Sequence, residues 1–148
     1  MTALLITSFV ILLSYILYAG VAESLSATYY KVKKPYLFQI SLGLTGFLMM
    51  IYLLDVTAGK WYQFLSFFAT SALIFVAFAP DYKQMLEGKV HRVNAYVSAG
   101  ASVLLLALMG FWYIPAITLT LAMKPVNNRT YWLEMGCFAS IFITSLFL

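Results

Sequence analysis

The 148-residue chain is 64% hydrophobic and 9% charged, with a formal net charge of +4 and a mean hydropathy of +0.92. Soluble domains run near ~45–50% apolar and ~25% charged, and a chain this small would leave much of its apolar surface wet. A soluble enzyme, a disordered tail and a nucleic-acid reader are excluded together. Short basic clusters between long apolar runs indicate instead an all-α, polytopic integral membrane helix bundle, a single transmembrane domain over residues 1–148.

The first uncharged run, Ala3 to Ala22, is long enough to cross the ~30 Å hydrocarbon layer as a helix. Gly20-Val21-Ala22 before Glu23 imitates a signal cleavage site, but no positive n-region precedes it, and the run reads as a first transmembrane helix. A polar stretch from Glu23 to Pro35 follows. Pro35 suits the first turn of a second helix, where its missing N–H costs nothing. That helix covers about 36–54 and ends at Asp55. Thr57-Ala58-Gly59-Lys60 is a tight turn before a third helix over 61–79, which Pro80-Asp81 stops.

The loop from there to Arg92 is the most polar part of the chain, and a fourth helix covers 91–109. Gly110 to Pro115 breaks it, with Phe111, Trp112 and Tyr113 forming an aromatic cluster suited to the water interface. The fifth helix, 112–123, is short for a span and must be thin, tilted or joined to the fourth as a re-entrant hairpin. The sixth covers 130–148. About six transmembrane helices result.

Orientation follows from the basic residues. The odd-numbered loops hold Lys31, Lys33 and Lys34, then Lys83, Lys89 and Arg92, then Lys124 and Arg129; elsewhere there is only Lys60. The positive-inside rule places the odd loops in the cytoplasm and both termini outside, in a cell or inner membrane.

Several helices carry a polar stripe at helical spacing: Gln39, Gly43 and Gly46; Gln63, Ser66 and Thr70; His91, Asn94, Ser98 and Ser102; Glu134, Cys137, Ile141 and Thr144. Small and hydroxyl residues so placed are first of all packing seams. Trp61, Tyr62, Trp112, Tyr113, Tyr131 and Trp132 read as interfacial belts. Asn128-Arg129-Thr130 matches a glycosylation triplet but falls on the cytoplasmic side. Cys137 has no partner for an intrachain disulfide, and a single histidine excludes a zinc site made of several histidines.

Glu134 differs from the stripes, because an ionisable group within a span is costly unless it faces protein or water. His91, Arg92, Asn94, Asp81 and Ser26 fall at the same cytoplasmic level, and His91, Arg92 and Asn94 are the expected partners of Glu134. Ser26, Asp81, His91, Arg92, Asn94 and Glu134 form the candidate polar cluster, without an assigned catalytic residue, metal or cofactor.

Glu23-Ser24-Leu25-Ser26 leaving the first helix, Asp81 after the third and His91 opening the fourth resemble the polar landmarks of the CREST superfamily, which includes alkaline ceramidases and adiponectin-receptor-like proteins. In its hydrolases a serine, an aspartate and three histidines build a zinc site near one membrane face. The resemblance covers about the first 100 residues and implies Ser26, Asp81 and His91 at the serine, aspartate and first histidine positions. The late histidine pair has no counterpart here, and six helices stand in place of seven. The implied relative lacks the metal.

The composition and short loops favour a non-enzymatic membrane subunit, effector or small-ligand or lipid-binding module. A small channel or carrier is the alternative, and a membrane-embedded lipid amide or ester hydrolase of the resembling type the next. Partners are the bilayer and, for any signalling output, a membrane or cytoplasmic protein or a second copy of the chain, with no nucleic acid.

Overall fold

The computed structural model describes residues 2–79, 85–124 and 127–148. Among them the chain is all-α. The elements are α1 (Thr2–Ala19), α2 (Thr28–Lys31), α3 (Tyr36–Val56), α4 (Gln63–Phe78), α5 (Met85–Leu108), α6 (Tyr113–Ala122) and α7 (Arg129–Ser145). Two of them, α1 and α3, are long and apolar enough to cross a membrane; α4 and α6 are apolar but shorter. At 1.5 Å per residue the ten-residue α6 reaches only about 15 Å, half the hydrocarbon thickness. Pro115 falls in its first turn, where a helix tolerates the missing donor.

Two boundaries depart from the sequence reading. The fourth predicted helix begins six residues earlier, at Met85 rather than His91, so His91 lies one and a half turns inside α5 instead of at its start. The polar stretch after α1 is not a surface loop. It folds back into the bundle, buries Leu25, Ser26 and Thr28, and forms the one-turn α2. Tyr15 and Thr28 share a 2.6 Å hydrogen bond, and the Tyr15 and Tyr29 rings both pack edge-on against Phe38. Three buried aromatic and hydroxyl groups thus anchor a segment that its charges alone would have left in water.

Helices α1, α3, α4 and α5 pack in succession, and α6 packs on α7. The seams are made of small residues. A Cβ on Gly46 would meet Ile74 Cγ1 at 3.0 Å and the Thr70 carbonyl at 3.4 Å, and one on Gly136 would meet Ala122 Cβ at 3.0 Å and the Thr118 carbonyl at 3.3 Å. Backbones come this close only where side chains are absent or small. The buried hydroxyls bond back to their own helix or across a seam: Thr70 to the Ser66 carbonyl, Thr57 with Ser66, Thr118 with Ser140, and Ser98 to the Ala69 carbonyl. Tyr52 at the end of α3 donates to the Ser145 carbonyl at the end of α7.

Polarity is distributed inside out. Ser8, Thr45, Ser66 and Thr144 are fully enclosed, while Phe9, Phe47, Phe64, Phe67, Phe68 and Phe75 lie exposed on the outer faces of α1, α3 and α4. Trp61 and Trp112 are exposed at one end of the bundle and Trp132 at the other. Tyr131 is an exception to the expected belt: its ring is 2% exposed and packs edge-on against Trp132 as part of the core.

Candidate functional site

The polar layer is assembled from four pieces of chain. Loop residues 23–26, the end of α4, the second turn of α5 and the first turns of α7 meet there, as their hydrogen bonds record. His91 Nδ1 lies 2.9 Å from the Ala79 carbonyl, and His91 Nε2 lies 2.8 Å from Ser26 Oγ. A carbonyl oxygen can only accept, so Nδ1 carries the hydrogen and Nε2 is left to accept from the Ser26 hydroxyl. The imidazole is buried, with the Val76 carbonyl a further backbone acceptor beside it.

Glu134 has a different partner from those expected. Its Oε2 accepts from the backbone N–H of Leu25 at 2.6 Å, tying α7 to the segment that folds back after α1. His91 is engaged with Ser26 and Ala79, and the Asn94 amide donates to the Val90 carbonyl of its own helix. A second tie lies beside the first. The Tyr131 N–H, one of the early donors of α7 that no carbonyl of the helix can reach, donates to the Glu23 carbonyl at 3.2 Å. Backbone groups thus supply what a search for side-chain partners could not foresee. Asp81 falls outside the described residues. Ser26 and His91 are brought into contact, Glu134 of α7 is joined to the same segment at Leu25, and Asn94 is turned aside.

Below this layer runs a cleft of about 510 Å³. Helices α5 and α7 are its walls, α3 and α4 its floor, and Ser24, Leu25 and Ser26 its upper end. It exists because α5 and α7 meet only sparsely, while each packs tightly on its sequence neighbour. The short α6 ends against Gly136, midway along α7, and the returning segment meets α7 one turn nearer its start, at Glu134 and Tyr131. Ser26, His91, Arg92, Thr130 and Glu134 line the upper end; Leu53, Val76, Ala99, Phe138 and Phe142 line the length below. Cys137 is one further wall residue, partly buried and unpaired. Arg92 faces this cleft from the residue after His91 and is exposed.

Among the described residues no group of three or more His, Cys, Asp or Glu side chains is placed to hold a metal ion. Among the described residues the layer offers the hydroxyls of Ser24, Ser26 and Thr130, the oriented imidazole of His91, the Glu134 carboxylate with its backbone partner and the Arg92 guanidinium. Neither the cleft nor the buried segment is announced by a motif; the nearest signal in the sequence is Leu25 set among Ser24, Ser26 and Thr28. No protein-family model, no curated protein and no solved structure matches this chain.

Proposed function

We propose that the chain is a polytopic membrane helix bundle that binds a single amphiphile, with the polar head at the Ser26–His91–Glu134 layer and the apolar tail along the α5–α7 cleft. The odd-numbered loops and the polar layer lie in the cytoplasm, and both termini lie outside. Of the six crossings, α6 is a partial one. The inverted distribution of polarity supports the membrane setting, since a surface lined with phenylalanine along whole helix faces has no place in water. The observation that carries the binding reading is the cleft itself. Its volume falls within the ~300–1,000 Å³ of ligand sites, and His91, Arg92 and Glu134 converge at one end, with hydroxyls and apolar side chains along the rest.

The reading predicts that a photoactivatable long-chain fatty acid cross-links to residues of α5 and α7 in native membranes. Ala99→Phe, which places a ring in the cleft, is expected to reduce cross-linking about tenfold, equivalent to about 1.4 kcal/mol of binding. Peptide mapping of the adduct reads the result. Cross-links spread evenly over the outer phenylalanine faces, with no effect of Ala99→Phe, would show a solvating lipid annulus and no site.

A further inference from the structure

Resting on the reading of the cleft as an amphiphile site, we propose that Ser26 is a nucleophile and His91 its general base, acting on the carboxylic ester of an acyl lipid held there. Three groups stand in line. The Ala79 carbonyl accepts the Nδ1 hydrogen of His91 at 2.9 Å, which turns the lone pair of Nε2 toward Ser26 Oγ at 2.8 Å. A nucleophile within hydrogen-bond reach of a base, the base oriented by a third group, is the arrangement that activates a serine hydroxyl. Serines in the packing seams bond to carbonyls or hydroxyls, as Ser140 does to the Gly136 carbonyl and Thr118, and Ser98 to the Ala69 carbonyl. Ser26 instead meets a ring nitrogen, and it does so at the end of the cleft.

Position specifies the substrate. The apolar walls below receive an acyl chain, and Ser26 stands where the chain gives way to polar groups, which is where the ester of a membrane lipid lies. Ser26 Oγ adds to the ester carbonyl carbon while its proton passes to His91 Nε2. The bond from that carbon to the alcohol oxygen breaks, and the alcohol departs with the proton from His91. Water then adds to the acyl-serine and gives a proton to His91; the acid leaves as Ser26 recovers its hydrogen. Arg92, lining the same cleft, carries the positive charge that offsets the oxyanion formed at each addition. Glu134, held by the Leu25 N–H beside Ser26, is a positioning residue that fixes the nucleophile's segment against α7.

The test is labelling of the full-length protein in detergent with a long-chain alkyl fluorophosphonate, which transfers phosphorus to an activated serine oxygen with loss of fluoride. One adduct per chain, mapped to Ser26, is expected. His91→Gln should slow it about 100-fold, the lower end of what a general base contributes, and Ser71→Ala, outside the cleft, should match the wild type. Site mapping in the wild-type protein needs no variant to fold. No adduct at Ser26, in protein that still cross-links a photoactivatable fatty acid in the cleft, would make the Ser26–His91 contact a structural latch and leave the binding reading intact. Loss of both would overturn the two together. An adduct at Ser26 that His91→Gln forms at the wild-type rate would remove His91 from the chemistry.

Discussion

Gly136→Leu destabilises the detergent-solubilised protein by about 1–3 kcal/mol, whereas Gly100→Ala leaves its stability unchanged or raises it by about 0.5–1 kcal/mol. Both glycines lie in helices, yet their surroundings are opposite. A Cβ at Gly136 already approaches Ala122, Leu119 and the Thr118 carbonyl of α6 to 3.0–3.3 Å, and a leucine must push the helices apart. That separation also pulls Ser140 from Thr118. At Gly100 nothing lies within 4 Å of an added Cβ, so the methyl group only removes backbone freedom from the unfolded chain. Thermal unfolding of the two variants beside the wild type reads the difference. Equal effects at the two positions would mean that the α6–α7 seam does not hold the hairpin together.

The second large effect is at Glu134. Glu134→Gln keeps an oxygen that can accept from the Leu25 N–H and falls only slightly in stability. Glu134→Ala leaves that N–H unmet beside a buried side chain and costs about 1–3 kcal/mol. The order wild type, Gln, Ala is the expected one. The alanine variant also frees residues 23–26 from one of their two ties to α7, so proteolysis near Ser24 should accelerate in it and not in the glutamine variant. Equal stability of both variants with the wild type would show that the carboxylate is solvated and that Tyr131 and Glu23 alone make the join.

The helices were legible because their apolar runs are long and their ends are punctuated. Gly20, Gly59 and Gly110 each adopt a positive φ just where a run stops, as glycine readily does. The shortness of α6 was also legible, from Lys124-Pro125 following Met123 so closely. What could not be read is the return of residues 23–31 into the bundle. Their hydroxyls look solvated until tertiary packing brings Tyr15 against Thr28, whose hydroxyl also reaches the Leu25 carbonyl within the segment, and sets Tyr29 against Phe38. Glu134 illustrates the same limit. Its depth within a helix was visible, and so was its need for a partner; a backbone N–H leaves no trace in a pattern of side chains. The meeting of Ser26 with His91, 65 residues apart, depends on that unforeseen fold-back. Asn94 shared a helical face with His91 in the sequence, but its amide is spent on Val90.

Cysteine accessibility across an intact membrane tests the central claim, a membrane-embedded bundle with its polar layer in the cytoplasm. In a Cys137→Ala background, a membrane-impermeant thiol reagent applied from outside should label Lys60→Cys. Lys33→Cys and Lys89→Cys should react only after permeabilisation, and Phe68→Cys, on an exposed apolar face of α4, should react in neither case. Labelling of Phe68→Cys at the rate of a water-exposed thiol, or of Lys33→Cys and Lys89→Cys from outside, would contradict it.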